Sequence, residues 1–590
     1  MNTAVTPSSP SQRAVHGVIV ASGIIGFVVG LVCYPTWHEG LERAQVLAGV
    51  VQHPSDAPMR LVMLSSWTIV QESAGLLLRY GVSERMATLV LSGLAGMVSL
   101  QALAVGVLAL SGNAVLAVLA SVAIVMAKAA EGGVTYPLSL IGSTNTDGVI
   151  GFSYVVLGLG LIGAGRARAG AFALGFAPAV YAPMGVSIWG VVAIALCVWP
   201  SMLRTARKPF ALGALAAIAC LLTHHWFRGS TGQIARIWIE LGDPSSLMSV
   251  GLRYWDVHRQ PFNLFSGSGM AIPISTGLAL LWLVRFPDSL PVAAHTFLRM
   301  TVIAVALGGV LSLSYWFVPL QIPSAIALLI PSRLMDVGIF MLPVFVVGLL
   351  GRRQDDVAAQ LVLAAILVSL LAIGFAIGAT DTPLASRASK MELALAALAL
   401  VLLAERSRRQ GQAQGFAAGV APRLLRASLL IVAVLLPLKV AAAAWGFQER
   451  LARQFQDGTT EPLFSAARNR PGMLLAQGGI ESVQLRTRRP LLIDGATVDR
   501  AIYAPDALAG IARILERVYG VDFGARPTKN IGALTEDAGR MLWESRTRAE
   551  WQAIAGAFGV TDILTTREWR LQLPIISLNA EFILYAVPPN

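Results

Sequence analysis

Charge is scarce in this sequence. Asp, Glu, Lys and Arg make up 13% of its 590 residues, against roughly 25% in an ordinary soluble chain. Too few charged side chains are present to coat a surface facing water, which excludes a simple soluble globular protein. Cysteine is rarer still. Cys33, Cys197 and Cys220 lie in or beside apolar stretches with no metal or redox spacing, so neither a metal site nor a disulfide framework is expected. They read as small packing residues. The HExxH, P-loop and GxSxG patterns are absent, which leaves no motif-level ground for a zinc protease, a nucleoside triphosphatase or a serine hydrolase. Charged residues near the middle of the apolar runs are few, which weighs against an ion-coupled transporter.

Apolar sequence is what the chain has in plenty: 55% hydrophobic residues and a mean hydropathy of +0.66. Runs of roughly 15 to 25 apolar residues recur between loops rich in Pro, Gly and charge. They place about thirteen spans, near 16–34, 86–111, 113–130, 148–164, 169–182, 184–200, 209–225, 267–285, 299–317, 334–350, 357–377, 390–404 and 424–444. The pair at 169–200 is short and carries Pro178 and Pro183, so a kinked or re-entrant segment is expected there. The first run is followed by Cys-Tyr-Pro-Thr-Trp and not by a small-x-small cleavage site, which favours an uncleaved first helix over a signal peptide.

The formal net charge of +12 sits largely in short loops, which fits the positive-inside rule and not a nucleic-acid partner. With the N-terminus cytoplasmic, one face receives Arg166 and Arg168, then Arg204, Arg207 and Lys208. Arg285 and Arg299, Arg352 and Arg353, and Arg406, Arg408, Arg409, Arg423 and Arg426 follow on that face. The expected fold is therefore a polytopic α-helical membrane domain over 1–444 and a soluble extracytoplasmic α/β domain over 445–590. A bacterial inner membrane is the expected location. In the soluble domain PLLIDG, DILTT and EFILYAV read as strands. ALAGIARILERVYG and RTRAEWQAIAGAFGV read as amphipathic helices, each stopped near a Gly.

Three long loops fall outside. The first, about 35–85, carries SSWTIVQESAGLLLRYGVSER, a surface helix with Trp67, Ile69, Val70, Leu76, Leu77 and Tyr80 towards lipid and Gln71, Glu72 and Arg79 towards water. The second covers 226–266. The third, about 318–333, is apolar and Pro-rich and reads as an interfacial segment.

Candidate chemistry lies in these loops. Tyr34-Pro-Thr-Trp-His-Glu-Gly-Leu-Glu follows directly on the first span. A carboxylate at the membrane surface suits a general base for a substrate hydroxyl, which makes Glu39 the first candidate, with His38 and Glu42 behind it. The competing reading is that His38-Glu39 marks the water boundary and caps the next helix. In the second loop Arg253, Tyr254, Trp255, Asp256, His258 and Arg259 form a set able to hold a phosphate and stack a sugar ring. The alternative is an interfacial aromatic belt with snorkelling arginines. Arg333, where the third loop enters the next span, offers a fork for a lipid phosphate, or a structural pair with Asp336 at i+3. Asn145 and Asp147 read as turn residues. Adjacent His224 and His225 point in different directions on a helix and make no joint metal site.

The layout resembles the GT-C superfamily of integral-membrane glycosyltransferases. The likeness is carried by HEGLERAQVLAGVVQHPSDAP after the first span, with its acidic residue, helix and Gly-x-x-x-x-Pro run. YPLSLIGSTNTDGVIGFSYVVLGLGLI and ALGFAPAVYAPMGVSIW resemble bacterial members. The resemblance implies a transferase that takes a sugar from a polyprenyl-phosphate donor and passes it to an extracytoplasmic glycan or protein, with no other cofactor. It implies Glu39 as catalytic base, and Arg333, Arg253 or Arg259 as holders of the donor phosphate. Family members often present a carboxylate pair where this chain reads His38-Glu39, so a branch that kept the fold as a non-catalytic scaffold stays open. A transporter of lipid-linked sugars on a membrane fold is the third expectation.

Overall fold

The structure is a computed structural model that describes residues 8–65, 67–135, 138–200, 204–228, 246–259, 262–265, 267–317, 329–376, 382–410, 421–525 and 537–589. Each apolar run read as a span is helical along most of its length. Among the described residues seven helices are long and apolar enough to cross a membrane: Gln12–Cys33, Glu84–Ser111, Gly267–Arg285, Val292–Leu313, Ser332–Arg352, Val357–Ala376 and Pro422–Ala444. Four more apolar helices, Ala114–Met126, Asp147–Gly163, Ala167–Val180 and Ala182–Val198, are shorter. They fall below the roughly 20 residues that span a hydrocarbon layer unaided. By length and composition the described residues thus support seven crossings, or eight if the bent pair Pro58–Ser65 and Ile69–Arg79 is one span, and do not confirm the expected count of about thirteen. The chain is a multi-pass membrane protein.

Helix Ser332–Arg352 forms the axis of the bundle, since its residues from Ser332 to Gly351 are all buried. A helix apolar all round has this fate: it is stable only when other helices surround it. The opposite case is Pro422–Ala444, with 11% of its most apolar window buried, a helix that turns most of its surface outward.

The first helix is seated by small residues. Gly26 lies against Gly96, and Gly30 against Ser92 and Gly93, so closely that a Cβ on Gly26 or Gly30 would collide with the backbone of helix Glu84–Ser111. With little hydrophobic drive between helices inside lipid, such backbone contact is what holds a pair together. It also sets where the chain leaves the helix at Cys33 and hence where Glu39 stands.

The expected break near 169–200 is present. Helix Ala167–Val180 contains Pro178, and Tyr181 (φ −155°, ψ 103°) separates it from Ala182–Val198, which has Pro in its first turn. In the first long loop, Thr68 caps helix Ile69–Arg79. Leu76 and Leu77 on this helix and Tyr80 at its C-terminal end are exposed, as expected of a surface helix, whereas Gln71 is buried at 3% exposure instead of facing water. The third loop lies outside the described residues for most of its length.

The C-terminal part carries a mixed sheet in the order β1-β2-β4-β3: β1 (Met473–Ala476), β2 (Val560–Thr566), β3 (Ile575–Leu578) and β4 (Phe582–Ala586). β1 is parallel to β2, and β4 is antiparallel to both β2 and β3. DILTT and EFILYAV are strands as expected, and both amphipathic segments are helices. PLLIDG is not a strand. It makes one parallel bridge, Leu474 to Leu491, after which the Asp494 side chain caps helix Gly495–Arg500 by accepting from the Thr497 amide. The acid that ends PLLIDG pulls the chain into a helix before a ladder can extend. Trp543 centres this domain, with Trp551 and Trp569 edge-on at ring distances of 5.4 and 5.3 Å.

Replacing Gly30 by Leu, or Gly26 by Leu, should lower the thermal unfolding midpoint of the detergent-solubilised protein by several degrees. Leu at Gly17, where a Cβ meets no neighbour, should leave it unchanged. Unfolding followed by tryptophan fluorescence distinguishes the two outcomes.

Candidate functional site

Glu39 ends the short segment that follows the first span and sits just before helix Gly40–Ala48. Its amide donates to the Thr144 carbonyl at 3.1 Å, and the Thr144 hydroxyl donates to Glu39 Oε1 at 3.2 Å. Its other oxygen, Oε2, accepts from Arg500 Nη2. The carboxylate is thus fixed from the membrane side by Thr144 and from the C-terminal domain by Arg500. Both charged side chains remain about one-third exposed, at 30% and 34%.

Arg500 is the electrostatic centre of the region. Burial disfavours its charge, but the carboxylates of Glu39, Asp147, Asp499 and Asp494 outweigh that and hold the guanidinium above its ordinary range. Asp147 accepts from Gln71 Nε2 and, at 3.4 Å, from the Thr68 hydroxyl. Gln71 in turn accepts from buried Arg43. This chain of partners explains why Gln71 faces inward on a helix otherwise amphipathic towards lipid. Glu42, one turn beyond Glu39, is buried, and burial together with Asp494 and Glu39 pushes its carboxyl well above the usual range.

His38 does not join Glu39. It is 1% exposed, and its Nε2 meets Ser92 Oγ at 2.9 Å on helix Glu84–Ser111. Burial, only partly offset by the Thr88 backbone, lowers its imidazole to about 3. The ring is neutral near pH 7 and serves to pin the segment that presents Glu39.

The second loop reaches the same region through the C-terminal domain. His258 Nε2 stands 3.3 Å from Asp499 Oδ2, next to Arg500 in sequence. Arg259 pairs with Asp256, donates to Tyr503 Oη at 3.0 Å and lies over the Tyr503 ring at 5.7 Å. Asp256 also accepts from the His258 amide at 2.8 Å, so it orders the loop. The Trp255 ring is committed elsewhere: it stacks on Phe523 at 5.3 Å and donates to the Phe523 carbonyl at 2.8 Å. It is therefore core and not a platform for a sugar. The side chain of Arg253 lies outside the described residues.

Arg333 is buried with Asp336 at 4.0 Å, the i+3 partner that the sequence offered. Asp336 additionally accepts from the Val134 amide at 3.0 Å. Ser332 donates to the His258 carbonyl at 3.3 Å, so the start of this helix abuts the second loop. Tyr181, at the break between the two short helices, lies within electrostatic reach of Arg333, Asp147, Arg500 and Arg259. Tyr181 thus links Arg259 and Arg333 to Arg500, the partner of Glu39. Lys128, Glu131 and Lys390 form a separate group, with Lys128 Nζ on Glu131 Oε1 at 2.9 Å and Lys390 donating to Ser268 Oγ at 3.0 Å.

No protein-family model matches the chain, and no curated protein matches it by sequence. Among solved structures it is similar to the crystal structure of ArnT from Cupriavidus metallidurans bound to undecaprenyl phosphate. The identity is 14%, 98% of this chain and 99% of that one are covered, and the TM-score is 0.45. The apo crystal structure of the same ArnT is similar at 13% identity over 97% of this chain and 98% of that one, with a TM-score of 0.39.

Sequence reasoning missed Arg500, Asp147, Tyr181 and Tyr503 as members of this region. Asp147 had the one available signal, an acid at a span entrance, which its neighbour Asn145 disguised as a turn. Asn145 does cap helix Thr146–Gly163, accepting from the Gly148 amide at 3.0 Å. Among the described residues no group of three His, Cys, Asp or Glu side chains is arranged to hold a metal ion.

The lowered imidazole of His38 has a pH consequence. Between about 6.5 and about 3 the unfolded chain binds a proton at His38 that the folded chain refuses. The stability this group contributes is full above the unfolded value and is lost as pH falls through that window. The His38 ring signals in NMR should not move between pH 8 and pH 5, and His38→Gln should flatten the fall of the unfolding midpoint across that range.

Proposed function

We propose that this chain is an integral-membrane glycosyltransferase. It moves a sugar from a lipid-phosphate carrier to an acceptor hydroxyl on the extracytoplasmic side of a bacterial inner membrane. In this reading the N-terminus is cytoplasmic, as the arginine-rich loops favour, and the C-terminal domain is extracytoplasmic. The observation that carries the reading is the placement of Glu39. A fixed, part-exposed carboxylate stands at the end of the first span on Arg500, and Tyr181, within electrostatic reach of Arg500, is also within reach of Arg259 and Arg333.

The chemistry such a region supports is a displacement at the anomeric carbon. Glu39 takes the proton of the acceptor hydroxyl as the new C–O bond forms. The bond from the anomeric carbon to the phosphate oxygen breaks, and its electron pair leaves with the lipid phosphate. Arginine forks are the side chains suited to that developing charge. Arg500 acts through Glu39, orienting it, and is a positioning residue. Arg259 is itself oriented by Asp256 and Tyr503, so its guanidinium plane is set before a ligand arrives.

A second reading rests on the same contact. The Glu39–Arg500 pair joins the membrane domain to the C-terminal domain and serves equally as a latch in a non-catalytic scaffold. At one-third exposure such a pair contributes on the order of 1 kcal/mol or less, so as a latch it is weak and replaceable.

Transfer from a polyprenyl-phosphate sugar by the purified full chain separates the two. Glu39→Gln should cut the rate roughly a hundredfold or more with an unchanged unfolding midpoint. A rate within about twofold of the parent removes Glu39 as the base. Under the latch reading, Glu39→Gln and Arg500→Gln lower the midpoint alike, and the exchanged pair Glu39→Arg with Arg500→Glu restores it.

A further inference from the structure

A cavity lies away from Glu39, between residues 50–58 of the first long loop and the sheet of the C-terminal domain, with a volume of about 930 Å³. Five arginines line it, Arg468, Arg470, Arg488, Arg489 and Arg513, against one acid, Asp56. Three of the five are held from behind the wall. Arg489 donates to Asp562 at 2.5 Å and to the Gly472 carbonyl at 3.0 Å, and Arg470 donates to the other Asp562 oxygen at 2.7 Å. Arg488 makes a two-bonded fork on Glu84 at 2.7 Å for each bond. Asp562, which anchors Arg470 and Arg489, is fully buried, and Glu84, which anchors Arg488, is nearly so, so these guanidinium groups are held by buried carboxylates.

Arg468 and Arg513 differ. Among the described residues neither has a carboxylate within ion-pair distance, Arg513 is exposed and Arg468 half-buried. A cavity that gathers five guanidinium groups and neutralises only part of them carries an electrostatic cost that an anion offsets. Its remaining wall includes the apolar side chains of Met473, Ile514 and Phe558, which suits a ligand with an apolar face or a ring beside its charge.

We propose that this cavity is an anion site for a phosphomonoester-bearing ligand, either a sugar phosphate or a lipid headgroup phosphate. Arg468 and Arg513 bind the phosphate directly, and the pre-set Arg470 and Arg489 supply the surrounding field. Guanidinium forks match phosphate oxygens in pairs, and this geometry is the reason arginine and not lysine is expected at such a site. The site is independent of the transferase reading, since none of its residues touches Glu39 or Arg500.

Isothermal titration of the full chain in phosphatidylcholine nanodiscs tests it, with glucose 1-phosphate in one arm and water-soluble dihexanoylphosphatidic acid in the other. Saturable binding in either arm is expected, weakened by added salt. The Arg468→Ala/Arg513→Ala variant should bind roughly tenfold or more weakly, with its unfolding midpoint unchanged. The arm that binds identifies the source of the phosphate. Absence of binding in both arms, or binding that the double variant leaves intact, overturns the proposal. Both arginines lie outside the Glu39 region, so transfer activity in the double variant separates failure of this site from failure of the transferase reading.

Discussion

The two halves of this protein meet around one cation, the guanidinium of Arg500, which pairs with the carboxylate of Glu39. Arg500 sits among four carboxylates drawn from three places in the sequence: the first outside loop, the start of helix Thr146–Gly163 and its own short helix. Asp494 and Asp499 are neighbours of Arg500 in sequence, whereas Glu39 and Asp147 are brought to it only by the tertiary fold. Bringing them together without a cation would leave like charges facing one another in a partly desolvated space, which is costly. Other bonds run alongside. Arg488 grips Glu84, Arg85 pairs with Asp457 at 3.0 Å, and Gln484 donates to the Glu42 carbonyl at 2.9 Å. The C-terminal part is therefore clamped onto the first long loop at several points, with the Glu39 contact nearest the candidate chemistry.

The membrane domain works as a frame for that contact. The glycine seam between the first helix and helix Glu84–Ser111 fixes the height at which the chain emerges. The buried His38–Ser92 bond then fixes its direction. His38 is useful because it is neutral: a charged ring at 1% exposure would carry a desolvation cost with no carboxylate beside it. Its part is to hold Glu39 still, which is as much a requirement for proton transfer as the base itself.

The helices were legible in the sequence because lipid imposes a hard rule. Backbone polar groups must be satisfied within each segment, so apolar runs become helices almost regardless of detail. Glu39 was legible for a related reason, as an acid where an apolar run ends. Its partner was not, because Arg500 lies 461 residues away and only the tertiary fold brings it near. Gln71 was misjudged because helical periodicity marks a polar face but does not say whether water or Asp147 waits there. PLLIDG looked like a strand by composition, and a single capping side chain, Asp494, made it the entrance to a helix. β1 and β3, of four residues each, are too short to show a pattern. Of the Arg253–Arg259 stretch, Asp256, His258 and Arg259 bond to one another and to Asp499 and Tyr503, while Trp255 went to the core because Phe523 offers it a stacking partner.

The account centres on Glu39 standing where a lipid-linked sugar would react. The most direct measurement is cryo-electron microscopy of the full chain in lipid nanodiscs with a non-hydrolysable polyprenyl-phosphonate sugar bound. The expected result is phosphonate oxygens within hydrogen-bond distance of Arg259 or Arg333, with the anomeric carbon open to attack from the Glu39 side. A ligand bound elsewhere, with Glu39 still closed on Arg500 and no sugar beside it, would contradict it.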